Sequence, residues 1–261
     1  MTKLVLIRHG ESEWNAKNQF TGWVDVGLTA NGVKEAKKAG KLLAKEGIEF
    51  DAAFTSYQRR AIKTLWLALE GIEQFHIPVT KDWRLNERHY GGLTGLNKQE
   101  MRDKHGDEQV HIWRRSYDVP PPKIDMDSEY HPSQDKKYAH IDPKELPRAE
   151  SLKLTCARVL PYFEGQVMPF LRAGSNLVIS AHGNSLRALM KTLFNVSNKD
   201  IPGYEFPTGN PLLISLDPET LAVTEARYLD EGRAKDLPKI PAAKKSKAAK
   251  TAKTPKKAKK A

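Results

Sequence analysis

Two short apolar runs in this chain end the same way. Leu4-Val5-Leu6-Ile7 stops abruptly at Arg8-His9-Gly10-Glu11, and Leu177-Val178-Ile179-Ser180-Ala181 stops at His182-Gly183-Asn184-Ser185. Four or five β-favouring residues that break into a turn read as a buried strand, and in open α/β sheets ligands collect at the carboxyl ends of strands. Two histidines in matching strand-end positions can converge on one phosphorus atom. One would attack through a neutral imidazole nitrogen, and the other would donate hydrogen bonds where charge develops. Arg8 adds a planar fork that matches a phosphoryl group, and Gly10 permits a sharp turn. Taken alone, His9 reads as no more than the cap of a strand, and the second histidine reverses that reading.

The segments between these runs alternate helix and strand, which predicts a three-layer α/β/α sandwich on a mostly parallel sheet. Thr29 is a good N-cap for a helix whose apolar face is Val33, Ala36, Gly40, Leu43 and Ala44 and which Gly47 ends. A strand is expected around 50–54, then a helix through 61–69 with Arg59 and Arg60 at its first turn, where backbone N–H groups favour anions. A strand near 79–83 is expected to deliver Glu87 much as the first delivers His9. A helix from about 150 to 171, bent near Pro161 or Pro169, leads into the His182 strand, and 211–216 and 222–228 supply closing strands. Residues 90–150 are polar and rich in proline, with little periodicity outside 97–115, and read as an insertion folding over the site. His131 and His140 within it are expected at the surface.

The net charge of +11 misleads, because residues 241–261 hold nine lysines and no acidic residue, leaving 34 Lys plus Arg against 32 Asp plus Glu in residues 1–240. A nearly neutral body, residues 1–238, is expected to form one catalytic domain, with 239–261 a disordered Lys/Ala/Pro-rich tail that lacks the apolar side chains needed to order itself. Such a tail can bind polyanions weakly through counterion release, but it has no aromatics for stacking. Cys156, the only cysteine, sits at helical spacing with Leu152, Val159, Leu160 and Phe163 and reads as a small core residue. No apolar run approaches membrane-spanning length and Arg8 interrupts the first too early for a signal peptide, so a soluble cytoplasmic protein is expected.

The stretch Leu6-Ile7-Arg8-His9-Gly10-Glu11-Ser12-Glu13-Trp14-Asn15 resembles the signature of the histidine phosphatase superfamily, in its phosphoglycerate mutase branch. Phe20-Thr21-Gly22-Trp23, the run from Leu85-Asn86-Glu87-Arg88-His89-Tyr90 to Gly95, Trp113-Arg114-Arg115-Ser116-Tyr117 and Ala181-His182-Gly183-Asn184-Ser185 resemble that branch in order and spacing, and together they span most of residues 3–230. The resemblance implies interconversion of 3-phosphoglycerate and 2-phosphoglycerate through 2,3-bisphosphoglycerate, which primes the enzyme. It further implies a homodimer or homotetramer and no metal, and the eight histidines include no His-Glu-x-x-His spacing.

By the same resemblance His9 is the phosphohistidine, Glu87 the general acid and base, and His182, Arg8 and Arg60 complete the catalytic group. Ser12, Asn15, Thr21, Gly22, Tyr90, Lys98, Arg114, Arg115, Gly183 and Asn184 are the expected substrate-binding residues, with Thr21-Gly22 offering backbone N–H groups. A doubly phosphorylated sugar acid carries on the order of four to five negative charges, so the pocket must be strongly cationic. On local sequence alone Glu87 could instead be a surface ion pair with Arg84 or Arg88, Arg114-Arg115 could be solvated, and Ser12 could be a helix N-cap. A related phosphatase or bisphosphoglycerate synthase would share His9 and His182. In a third reading the lysine tail binds polyanions and the enzyme body is incidental.

Overall fold

The computed structural model describes residues 1–241. The alternation inside β1 (Thr2–Arg8) divides the molecule, because Leu4 and Leu6 join one apolar cluster while Val5 and Ile7 join another. Successive strand residues face opposite sides, so this strand is buried twice over, and each such side chain contributes about 1.5–3 kcal/mol relative to exposure. Along the chain follow α1 (Glu13–Ala16), α2 (Ala30–Glu46), β2 (Ala52–Thr55), α3 (Arg59–Gly71), β3 (Val79–Lys81), α4 (Lys98–His105), α5 (Asp107–Arg115), α6 (Leu152–Tyr162), α7 (Met168–Arg172), β4 (Leu177–Ala181), α8 (Gly183–Leu193), β5 (Leu212–Leu216) and β6 (Val223–Tyr228).

The strands form one sheet in the order β3-β2-β4-β1-β5-β6. β1 to β4 run parallel, and β5 pairs antiparallel with both β1 and β6. Helices α2 and α3 bring Leu43, Leu65 and Leu69 to the Val5/Ile7 face. Helices α6 and α8 bring Cys156, Val159, Leu186 and Leu189 to the Leu4/Leu6 face. The result is the expected three layers with a mostly parallel sheet. Thr29 caps α2 by accepting from the Gly32 N–H, and Gly47 closes the helix at φ 60°.

Three local expectations need correction. β3 stops at Lys81, and a 3-10 turn over Trp83–Leu85, capped by Asp82, intervenes, so Glu87 arrives on a loop and not at a strand end. The helix expected over 150–171 is interrupted by a π-helical turn at Phe163–Val167, between the two prolines. A widened turn there relieves the clash between the Pro169 ring and the carbonyl four residues back. His131 is buried rather than at the surface, whereas His140 is exposed.

No helix among the described residues is long and apolar enough to cross a membrane. The lysine-rich tail expectation falls on residues 239–261, of which 242–261 lie outside the described residues.

Candidate active site

The parallel register of β1 and β4 pairs Arg8 with Ala181, so the residues that follow, His9 and His182, emerge side by side. The His9 N–H donates to the Ala181 carbonyl at 3.0 Å, and the two imidazole rings lie 5.0 Å apart. Gly10 does not owe its place to a turn. A Cβ there would stand 2.2 Å from the Gly32 carbonyl oxygen, so it lets the loop after β1 pack against the first turn of α2.

His9 is 2% exposed, and its Nδ1 lies 2.7 Å from the Gly10 carbonyl. A carbonyl can only accept, so Nδ1 carries the proton and Nε2 keeps its lone pair. Burial, and then the charges of Arg60 and Arg8, hold the His9 pKa well below its ordinary value, so the ring stays neutral. His182 is likewise held neutral by burial and by Arg60. Its Nε2 lies 2.8 Å from the Ser56 hydroxyl, while its Nδ1 is buried with no partner among the described residues.

His9 opens onto a cavity of about 120 Å³ lined also by Arg8, Arg60, Lys98, Arg114, Arg115 and Arg187. Glu87 and Glu205 are the carboxylates on its wall, so six cations face two anions, a surplus of four positive charges. Burial lowers the pKa of Arg60 to about 10 and that of Arg187 to about 10, which leaves both charged. Two further donors, Arg8 Nε and Arg60 Nε, are buried without partners. A buried donor left unpaired costs about 1–3 kcal/mol. An anion with several oxygens fits such a set.

Burial pushes the Glu87 carboxyl up, but the Arg88 N–H, Asn184, Arg8 and Arg60 outweigh it and hold the group below the usual carboxylate range. The Arg88 N–H at 2.8 Å and the Asn184 N–H and Nδ2 at 3.0 Å all donate to Oε1, which leaves Oε2 without a hydrogen bond among the described residues. The alternative ion pair is not formed, since Arg84 pairs with Asp82 and the Arg88 guanidinium lies over the Tyr90 ring.

Of the residues expected from sequence, Arg8, His9, Asn15, Thr21, Arg60, Glu87, Tyr90, Lys98, Arg114, Arg115, Gly183 and Asn184 come together on this cavity. Three do not line it. Ser12 caps α1 and bonds Asn15, which was its alternative role. Gly22 accepts through its carbonyl from Gln58 and Arg60. His182 is fully buried, with its ring 5.0 Å from that of His9, and is not itself among the residues lining the cavity. Arg59 turns away to Asp25.

Sequence reasoning missed Gln19, Arg187, Glu205 and Arg158. Arg187 stands three residues after Asn184 and donates to its Oδ1 at 2.8 Å, so helical spacing could have found it. Arg158 forms a buried pair with Glu150 and donates to the carbonyls of Trp83, Arg84, Asn86 and Glu87, which clamps the loop that carries Glu87. No local signal marks that role.

The fold and this pocket define an α/β protein with an anion site at the carboxyl ends of its central strands. Residues 4–131 match the family model of the histidine phosphatase superfamily (branch 1). The chain is 60% identical over 231 residues to a 2,3-bisphosphoglycerate-dependent phosphoglycerate mutase of Erythrobacter litoralis, covering 88% of this chain and all of that one. It is 58% identical over 240 residues to the protein of the same name from Caulobacter vibrioides, covering 92% of this chain and all of the relative. The solved structure of Bacillus stearothermophilus YhfR, 27% identical, superposes with a TM-score of 0.62 over 86% of this chain and 96% of the other. The chain therefore belongs to the histidine phosphatase superfamily and, within it, to the 2,3-bisphosphoglycerate-dependent phosphoglycerate mutases.

Proposed function

We propose that the chain interconverts 3-phosphoglycerate and 2-phosphoglycerate, with His9 as the phosphoryl carrier and Glu87 as general acid and base. The observation that carries this reading is the neutral, tautomer-fixed imidazole of His9, flanked by Arg8 and Arg60 in a pocket with four surplus positive charges. That surplus suits the four to five negative charges, on the order estimated for 2,3-bisphosphoglycerate, which supplies the phosphoryl group that primes His9.

In the priming direction Nε2 of His9 forms a bond to phosphorus as the bond from phosphorus to the departing oxygen breaks, and protonated Glu87 gives that oxygen its proton. In the return direction Oε2 of Glu87 takes the proton of a substrate hydroxyl, whose oxygen attacks phosphorus while the N–P bond breaks. Arg8 and Arg60 hold the equatorial oxygens. Ser56 already accepts from the Gln58 N–H at 3.1 Å, so its own proton can go to His182 Nε2, leaving His182 Nδ1–H to stabilise the transferring group. Glu87 is ionised beside these cations, and an incoming phosphate both neutralises the arginines and disfavours the carboxylate. This makes Glu87 easier to protonate when the site is filled.

Lys98, Arg114, Arg115 and Arg187 bind the remaining phosphate and the carboxylate. A homodimer or homotetramer belongs to the same reading.

Incubation with radiolabelled 2,3-bisphosphoglycerate followed by rapid quench tests the carrier role. Acid-labile, alkali-stable label on the native chain and none on His9→Ala is the expected result. Equal labelling of both would exclude His9 as the carrier.

A further inference from the structure

The tripeptide Tyr204-Glu205-Phe206 touches three of the site's arginines in succession. The Tyr204 carbonyl accepts from Arg187 Nε at 2.6 Å, the Glu205 carboxylate pairs with Arg115, and the Phe206 carbonyl accepts from Arg8 Nη1 at 2.8 Å. The Tyr228 hydroxyl donates to the Glu205 carbonyl at 3.2 Å, which fixes the backbone between them. Two of these contacts are to neutral carbonyls and orient a guanidinium without cancelling its charge. The third cancels it. Glu205 lines the cavity, its side chain is 45% exposed, and the proton chemistry assigned to Glu87 leaves it without a task.

A fixed negative charge inside a pocket that selects anions works against its ligand. It competes for Arg115 and repels the group that approaches Arg187. We infer that Glu205 is an affinity-setting residue, an internal anion that occupies Arg115 until an anionic group of the ligand displaces it. The doubly phosphorylated ligand is thereby held less tightly than the cations alone would hold it. The cationic surplus makes such a restraint useful, because an intermediate held too firmly cannot turn over in the site or leave it. The identity of that ligand rests on the mutase reading, whereas the competition between Glu205 and a polyanion does not.

The test is calorimetric titration of the native chain and of Glu205→Gln and Glu205→Asp with 2,3-bisphosphoglycerate at low and at high salt. Loss of one opposing charge should tighten binding by about tenfold in Glu205→Gln at low salt, an advantage that shrinks as salt screens the site. Glu205→Asp, which keeps the charge, should stay within about twofold of native, as expected for a retained Coulomb term. Unchanged or weaker binding by Glu205→Gln would overturn the inference and make Glu205 a brace for Arg115. Should Glu205→Gln not fold, Glu205→Asn is read by the same criteria. If the native chain binds no bisphosphoglycerate, the mutase reading fails by itself. The comparison made with inorganic pyrophosphate then decides the Glu205 inference alone, with tightening supporting it and no change removing it.

Discussion

His9 and His182 are each covalently next to the strand that aims it, so the register of β1 on β4 sets the two rings 5.0 Å apart. Glu87 rides instead on a loop shaped by Arg158, which is 71 residues away and reaches the loop from α6. Arg187, three residues after Asn184, was legible by helical spacing, whereas Glu205 was not, because its partner Arg115 comes from α5. The pKa of Glu87 also depends on groups the chain brings from afar, with hydrogen bonds and arginines outweighing burial. Replacing Glu87 by Gln keeps the shape and the acceptor for the Arg88 and Asn184 donors but cannot carry the proton. Its kcat should fall by about 10²–10⁴, the usual range for a lost general acid–base, while the KM for 3-phosphoglycerate changes much less. A kcat within twofold of native would assign the proton to another group.

At the scale of elements, local signals served best where a cap or an uninterrupted period defined the boundary. Thr29 and Gly47 bound α2 as expected, and the four-residue apolar run of β1 became a strand buried on both faces. They served worst where proline or tertiary packing decides, as in the π-helical turn before Pro169 and the early end of β3. Gly40 was legible as a member of the apolar face of α2, but its reason was not. A Cβ at Gly40 would lie 2.9 Å from the Ala68 carbonyl oxygen and 3.0 Å from the Gly71 Cα, so two glycines let α2 and α3 cross closely. Gly40→Ala should therefore destabilise the protein by about 1–3 kcal/mol through overpacking, despite the better helix propensity of alanine, with kcat at 25 °C unchanged. Thermal denaturation that shows a rise in Tm would contradict this close-packed crossing.

The whole molecule buries neutral histidines, which ties stability to pH. His9, His89 and His182 are buried, and burial is the leading cause that lowers all three, His89 to about 4 from an ordinary 6.5. A base whose folded pKa is depressed binds protons more readily when unfolded, so its contribution is intact above pH 6.5 and declines as pH falls toward the folded value. For His89 that amounts to about 3 kcal/mol between pH 6.5 and 4, at 1.36 kcal/mol per unit. Together the three should lower Tm by roughly 10 °C between pH 6.5 and 5.5, and a Tm flat across that interval would show that these rings are not held neutral. That the fold assembles a phosphohistidine mutase site is checked by enolase-coupled turnover of 3-phosphoglycerate by the full chain, with and without a trace of 2,3-bisphosphoglycerate. The expected result is turnover that the bisphosphate stimulates and that His9→Ala abolishes. Release of inorganic phosphate without formation of 2-phosphoglycerate would contradict it and make the chain a phosphatase.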